Sequence, residues 1–105
     1  MVRDMAQFSV LMSLYIKERP EYLKESLDSV LNQTVRPNQI VVVKDGPLTE
    51  ELEAVLELFV SEENGLYTVV PLEQNQGLGL ALREGIQHCN YELIARMDTD
   101  DIARK

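Results

Sequence analysis

Four apolar runs, each separated from the next by a stretch of helical periodicity, constrain this chain more than any other feature. The first is Phe8-Ser9-Val10-Leu11-Met12-Ser13-Leu14-Tyr15, and the second is Ile40-Val41-Val42-Val43, four β-branched residues in succession. A strand with one wet face alternates apolar and polar residues. Runs without that alternation belong to strands covered on both faces, the usual state inside a parallel sheet. Tyr67-Thr68-Val69-Val70 is a shorter third strand, and Glu92-Leu93-Ile94-Ala95-Arg96-Met97 a fourth.

The segments between them carry helix signals. Pro20 suits a first helical turn, where its missing N–H costs nothing, and Tyr22, Leu23, Leu27, Val30 and Leu31 then fall on one face. That helix must end before Val35-Arg36-Pro37, because the residue preceding a proline disfavours the helical region. Thr49 is placed to cap a second helix, with Glu50, Glu51 and Glu53 at its positive end and Leu52, Val55, Leu56 and Phe59 as its buried face. Gly65 is its stop signal. After the polar loop Glu73 to Gly77, a third helix shows Leu78, Leu82, Ile86 and Cys89 on one stripe.

Strict alternation with short loops implies right-handed crossovers and an α/β fold, a three-layer α/β/α arrangement around a mostly parallel, Rossmann-like sheet. The expectation is one domain over residues 1–105 whose fourth strand lacks a covering helix, hence the N-terminal part of a longer protein.

Composition removes whole classes of function. Ten Lys and Arg against eighteen Asp and Glu give a net charge of −8, which opposes bulk electrostatic binding to nucleic acid or anionic lipid. One cysteine and one histidine exclude an intrachain disulfide framework, a Cys-based zinc cage and a multi-histidine metal site. No apolar run approaches the roughly 18 residues that span a bilayer, and Met1 to Gln7 lacks the core of a signal peptide. A cytoplasmic domain is expected, with a place at the inner face of a membrane left open for its parent protein.

Open α/β sheets bind ligands at the carboxyl ends of their strands, near a reversal of strand order. Tyr15, Lys44-Asp45, the Glu73–Gly77 loop and Asp98 to Asp101 occupy those ends. Asp98, Asp100 and Asp101 place three carboxylates within four residues. They repel unless solvated or neutralised by a cation, and Mg2+ or Mn2+ accepts such oxygens; an acidic N-cap of a following helix is the competing reading. Asp45 is placed either to accept a hydrogen bond from a nucleobase N–H or to shape the turn at Gly46. Gly77-Leu78-Gly79 begins like a dinucleotide loop, but Leu82 stands where the pattern needs glycine. A flexible helix entry, with Asn75 as a capping or turn residue, is the simpler role. Arg83 and Arg96 are the basic groups best placed near such a site, while His88 and Cys89 receive no catalytic role.

Taken in order, Phe8 to Tyr15, Pro20 to Thr34, Val42 to Gly46, Asn75 to Gly79 and Ala95 to Asp101 resemble the family 2 inverting glycosyltransferases of the GT-A fold. The stretches Lys17 to Pro20 and Lys44 to Pro47 resemble the bacterial enzymes that build cell-surface polysaccharides. Many relatives carry Asn after the first-strand tyrosine, where this chain has Ile16. The resemblance implies a nucleotide-sugar site with a sugar acceptor as second substrate. Tyr15 would line the base pocket, Asp45 would bind the base, typically uracil, and Arg83 would lie near the diphosphate. Asp98 would contact ribose or sugar, and Asp100 would hold the Mn2+ or Mg2+ that bridges the diphosphate, with Asp101 in support. A −8 chain holds a diphosphate only through such a cation, which acts as a Lewis acid toward the departing nucleoside diphosphate.

Other classes fit less well. A receiver-type signalling domain needs an acidic pair after the first strand, where Leu14-Tyr15-Ile16-Lys17 has none. A sugar-nucleotide nucleotidyltransferase would place a glycine-rich basic loop there, and Lys17-Glu18-Arg19 has no glycine. A non-catalytic nucleotide-sugar-binding module fits the same residues as the enzyme does. In the family, acceptor recognition and the general base lie downstream of the D-x-D element, and a fragment with an uncovered sheet face would self-associate to bury it. The isolated 105-residue chain is therefore expected to bind donor weakly and transfer no sugar, and a radiolabelled-donor transfer assay above the no-enzyme rate would overturn this.

Overall fold

A computed structural model of the chain describes residues 7–63 and 65–97. Seven elements follow in strict alternation: β1 (Phe8–Leu14), α1 (Pro20–Leu31), β2 (Gln39–Lys44), α2 (Glu50–Glu62), β3 (Tyr67–Pro71), α3 (Leu78–Ile86) and β4 (Leu93–Arg96). Pro20 occupies the first turn of α1, and Thr49 caps α2 by accepting the Leu52 N–H at 3.1 Å. The expected strands and helices all form, with β4 shorter than its apolar run.

The four strands are parallel, in the order β3-β2-β1-β4. The chain winds outward from β1 through β2 to β3, then crosses back to lay β4 on the far side of β1. Strand order therefore reverses between β1 and β4, which is the position that opens a crevice at the carboxyl edge.

Alternate residues of the central strands serve two separate cores. Val10, Met12, Leu14, Ile40 and Val42 pack with Leu23, Leu27 and Val30 of α1 and Leu52, Leu56 and Phe59 of α2. Leu11, Val41 and Val43 pack on the opposite face with Val70 and Ala81 of α3. Two helices cover one face and one covers the other, the three-layer arrangement expected.

The seating of α3 differs from the expected stripe. Ala81 and Gly85 are its buried residues, with Leu82 and Cys89 packed at the margin, whereas Leu78 and Ile86 are about half exposed. Small residues let the helix sit close to the strands: a Cβ on Gly85 would lie 2.5 Å from Leu11 Cδ1 and 2.7 Å from Val43 Cγ2. Apolar periodicity finds bulk, and this interface is built on its absence. Tyr22 also departs from the expected buried face; it is half-buried, with the Arg19 guanidinium 5.1 Å above its ring.

Gly85→Val would force a branched side chain against Leu11 and Val43. Loss of about 3 kcal/mol in urea unfolding is expected, the upper range for overpacking. Leu78→Ala, on the exposed side of α3, should change stability by less than about 0.5 kcal/mol.

Candidate functional site

Three loops meet at the carboxyl edge of the sheet. The turn after β1 carries Tyr15, Ile16 and Lys17 and is closed by the Glu18 N–H donating to the Tyr15 carbonyl at 3.0 Å. The turn after β2 carries Asp45, Gly46 and Pro47, and the loop after β3 carries Asn75, Gln76 and Gly77. Together Tyr15, Ile16, Lys17, Asp45, Gly46, Pro47 and Asn75 line a cleft of about 440 Å³. That volume lies within the range of small-molecule sites.

Asp45 is the pivot of this edge. Its side chain crosses from the β2 turn to the loop after β3. Oδ1 accepts the Gln76 N–H at 2.6 Å, and Oδ2 accepts the Gly77 N–H at 3.1 Å and the Asn75 side-chain amide at 3.1 Å. The residue is only 4% exposed, so these bonds replace the water that a carboxylate loses on burial. Gly46 lets the two loops touch: it sits at φ 90°, and a Cβ there would lie 2.7 Å from the Asn75 nitrogen. The Asn75–Gly77 segment is thus tied to the β2 turn, beyond the flexible helix entry its composition suggests.

Tyr15 and Asp45 share the cleft. Arg83 lines a separate depression of about 340 Å³ with Leu72, Gln76, Leu80, Glu84 and Gln87. Arg96 ends β4, beside β1. Asp98, Asp100 and Asp101 lie outside the described residues; the last described residue, Met97, donates its N–H to the Leu11 carbonyl at 3.0 Å and leaves β4 at the same edge. Among the described residues no group of three His, Cys, Asp or Glu side chains is arranged to hold a metal ion.

Lys17 and Asn75 also line the cleft, although sequence patterning assigns Lys17 no site role and Asn75 only that of a capping or turn residue in the strand-end loop. Lys17 follows the cleft tyrosine by two positions, and it enters none of the ion pairs among the described residues, unlike Lys44, which is held by Glu53 at 2.9 Å. Asn75 reads locally as a turn residue, and its partner lies 30 positions away. Away from the edge, burial pushes the Cys89 thiol up from its ordinary value. His88 approaches only Glu84, at 3.5 Å.

Residues 9–105 match the family model described as glycosyl transferase family 2. An uncharacterized glycosyltransferase of Haemophilus influenzae is 51% identical over 96 residues, covering 91% of this chain and 35% of the relative. An Escherichia coli protein named UDP-Gal:alpha-D-GlcNAc-diphosphoundecaprenol beta-1,3-galactosyltransferase is 41% identical over 101 residues, covering 96% of this chain and 36% of the relative. The chain thus spans about a third of the length of these curated relatives. Among solved structures, a mannosyltransferase from Pyrobaculum calidifontis in complex with GDP-Man and Mn2+ shares the fold, with a TM-score of 0.77 and 21% identity over 90% of this chain and 27% of its own. No helix among the described residues is long and apolar enough to cross a membrane.

Asp45→Ala would leave two backbone N–H groups and the Asn75 amide without their acceptor. A loss of about 2–4 kcal/mol is expected in urea unfolding, with Asp45→Asn intermediate because it keeps one oxygen. Amide exchange at Gln76 and Gly77 should accelerate more than exchange in β1.

Proposed function

The chain belongs to glycosyl transferase family 2, and from that premise we propose that it is the donor-binding portion of an inverting glycosyltransferase. The reaction moves a sugar from a nucleoside-diphosphate sugar, a UDP-sugar, to an acceptor hydroxyl. One observation carries the reading: Tyr15, Lys17, Asp45 and Asn75, from three separate loops, converge on a single cleft at the carboxyl ends of the parallel strands. That is the place where an α/β sheet receives a nucleotide.

The roles follow from chemistry and position. The Tyr15 ring supplies an aromatic wall for the base, and the Asp45 carboxylate, an acceptor only, receives an N–H from it. Lys17 and Arg83 flank the cleft with positive charge for the diphosphate. Asp98 contacts ribose or sugar, and Asp100, supported by Asp101, holds a divalent cation, Mn2+ or Mg2+. When bound, that cation neutralises the diphosphate and stabilises the departing nucleoside diphosphate. An all-oxygen donor set of this kind suits both metals. The UDP-Gal in the name of the E. coli relative and the Mn2+ beside GDP-Man in the structural neighbour support the choice of ligand class.

Residues 1–105 form one donor-binding unit, and acceptor recognition and the general base come from elsewhere in the protein. The biosynthetic relative that acts on a diphosphoundecaprenol-linked sugar supports a saccharide acceptor and a site of action at the cytoplasmic face of a membrane.

Calorimetric titration with UDP, GDP and CMP, each with and without Mn2+, tests this. UDP should bind best and only with metal, and Asp100→Ala should weaken that binding by at least about tenfold, the usual scale for disturbing a metal site. Nucleotide binding that survives chelation unchanged would remove the cation from the mechanism. A chain that binds no nucleotide under any of these conditions would refute the donor-site reading.

A further inference from the structure

We infer that Asn75 is a positioning residue for nucleobase recognition: it fixes the Asp45 carboxylate so that a single acceptor site is offered to the cleft. This rests on the donor-site reading above and adds to it a residue and a device. An ionised carboxylate has about four acceptor sites. Three are filled, two on Oδ2 by the Gly77 N–H and the Asn75 amide, and one on Oδ1 by the Gln76 N–H. One site on Oδ1 is left for a ligand, on a residue that lines the cleft while being only 4% exposed. So little of the group reaches the cleft that a modest rotation about the carboxylate bond would withdraw it.

The Asn75 amide opposes that rotation from two directions, donating to Oδ2 at 3.1 Å and to the Asp45 carbonyl at 3.3 Å. It ties the carboxylate to its own backbone through one NH2 group. The Asn75 backbone runs close to Gly46, its nitrogen only 2.7 Å from where a Cβ on Gly46 would stand, so the two turns pack closely. Gln76 and Gly77 hold the carboxylate through main-chain groups that no side-chain change removes. Asn75 is the one member of the set whose side chain does the holding, and it also lines the cleft. A carboxylate fixed in this way accepts from a base that presents a ring N–H and gains nothing from a ring nitrogen that is itself an acceptor.

The test compares UDP, CDP and ribose 5-diphosphate binding in the presence of Mn2+, for the full chain and for Asn75→Ala. Ribose 5-diphosphate keeps the phosphate end and lacks a base, so the affinity ratio of UDP to ribose 5-diphosphate reads the base contact alone. Asn75→Ala is expected to reduce that ratio by about tenfold, the scale of a hydrogen bond to a charged group, and to erase the preference for UDP over CDP. Ribose 5-diphosphate affinity should stay within twofold. If Asn75→Ala melts too low for titration, Asn75→Ser, which keeps a small hydrogen-bond donor, should show an intermediate ratio. Equal losses for UDP and ribose 5-diphosphate, or an unchanged ratio, would overturn the assignment while leaving the donor site intact. Failure of the unsubstituted chain to bind UDP more tightly than ribose 5-diphosphate would instead refute the base-binding role of Asp45 itself.

Discussion

The middle of the sheet has to be dry on both faces. Leu11 and Val41 look one way, Met12 and Val42 the other, and none of the four is exposed. A parallel pair cannot be joined by a tight turn, so each crossover must run back over the sheet, and the crossover helices are what cover it. From that requirement follow α1 and α2 on one face, α3 on the other, and the reversal of strand order beside β1. The cleft at the carboxyl edge is lined by the turns that this covering leaves at the strand ends.

The face under α3 is the thinner of the two, and its polar contacts make up the difference. Ala81 and Gly85 bring the helix close but bury little apolar surface. Both ends of α3 are instead tied to β2. At the start of the strand, Gln39 accepts the Asn90 N–H at 2.8 Å and donates to the His88 carbonyl at 3.0 Å, while the Ser9 hydroxyl donates to the same Gln39 oxygen at 2.6 Å. Just beyond its end, Asp45 holds the loop that enters the helix. One strand thus carries a buried polar side chain at each end, and between them they clamp the segment from Asn75 to Asn90. The clamp at the carboxyl end sits in the cleft, so α3 is seated by a residue that also faces the ligand site.

Fold class was legible because the signals that specify it are local. Ile40 to Val43 are β-branched and unbroken, Thr49 caps, Pro20 starts a helix, and each of these acts within a few residues. Strand order and helix faces were less so. The stripe through Leu78 and Ile86 is as periodic as a buried face, and the structure exposes it because the sheet is approached through Gly85. The role of Asp45 was half visible. Its place after β2 marked it as a site residue, but three of its bonds reach residues 30 to 32 positions away, and no spacing rule anticipates a loop that arrives from the next crossover. Asn75 was legible as a turn residue of the strand-end loop, but its bond to Asp45 was not, for the same reason.

Charge decides how an acidic chain admits an anionic ligand at this edge. Of the described cations, Arg19, Lys24, Arg36 and Lys44 are each within 3.3 Å of a carboxylate, and those pairs lie along α1, α2 and their flanks. Lys17, Arg83 and Arg96 enter no ion pair among the described residues. Lys17 lines the cleft, Arg83 a separate depression on α3, and Arg96 closes β4 at the reversal. Exposed ion pairs stabilise a fold only slightly, so pairing four cations and leaving three costs the fold little. It does set the local field. Among the described residues, the basic side chains outside ion pairs thus gather toward the carboxyl edge, where positive charge offsets the local share of the −8 net charge.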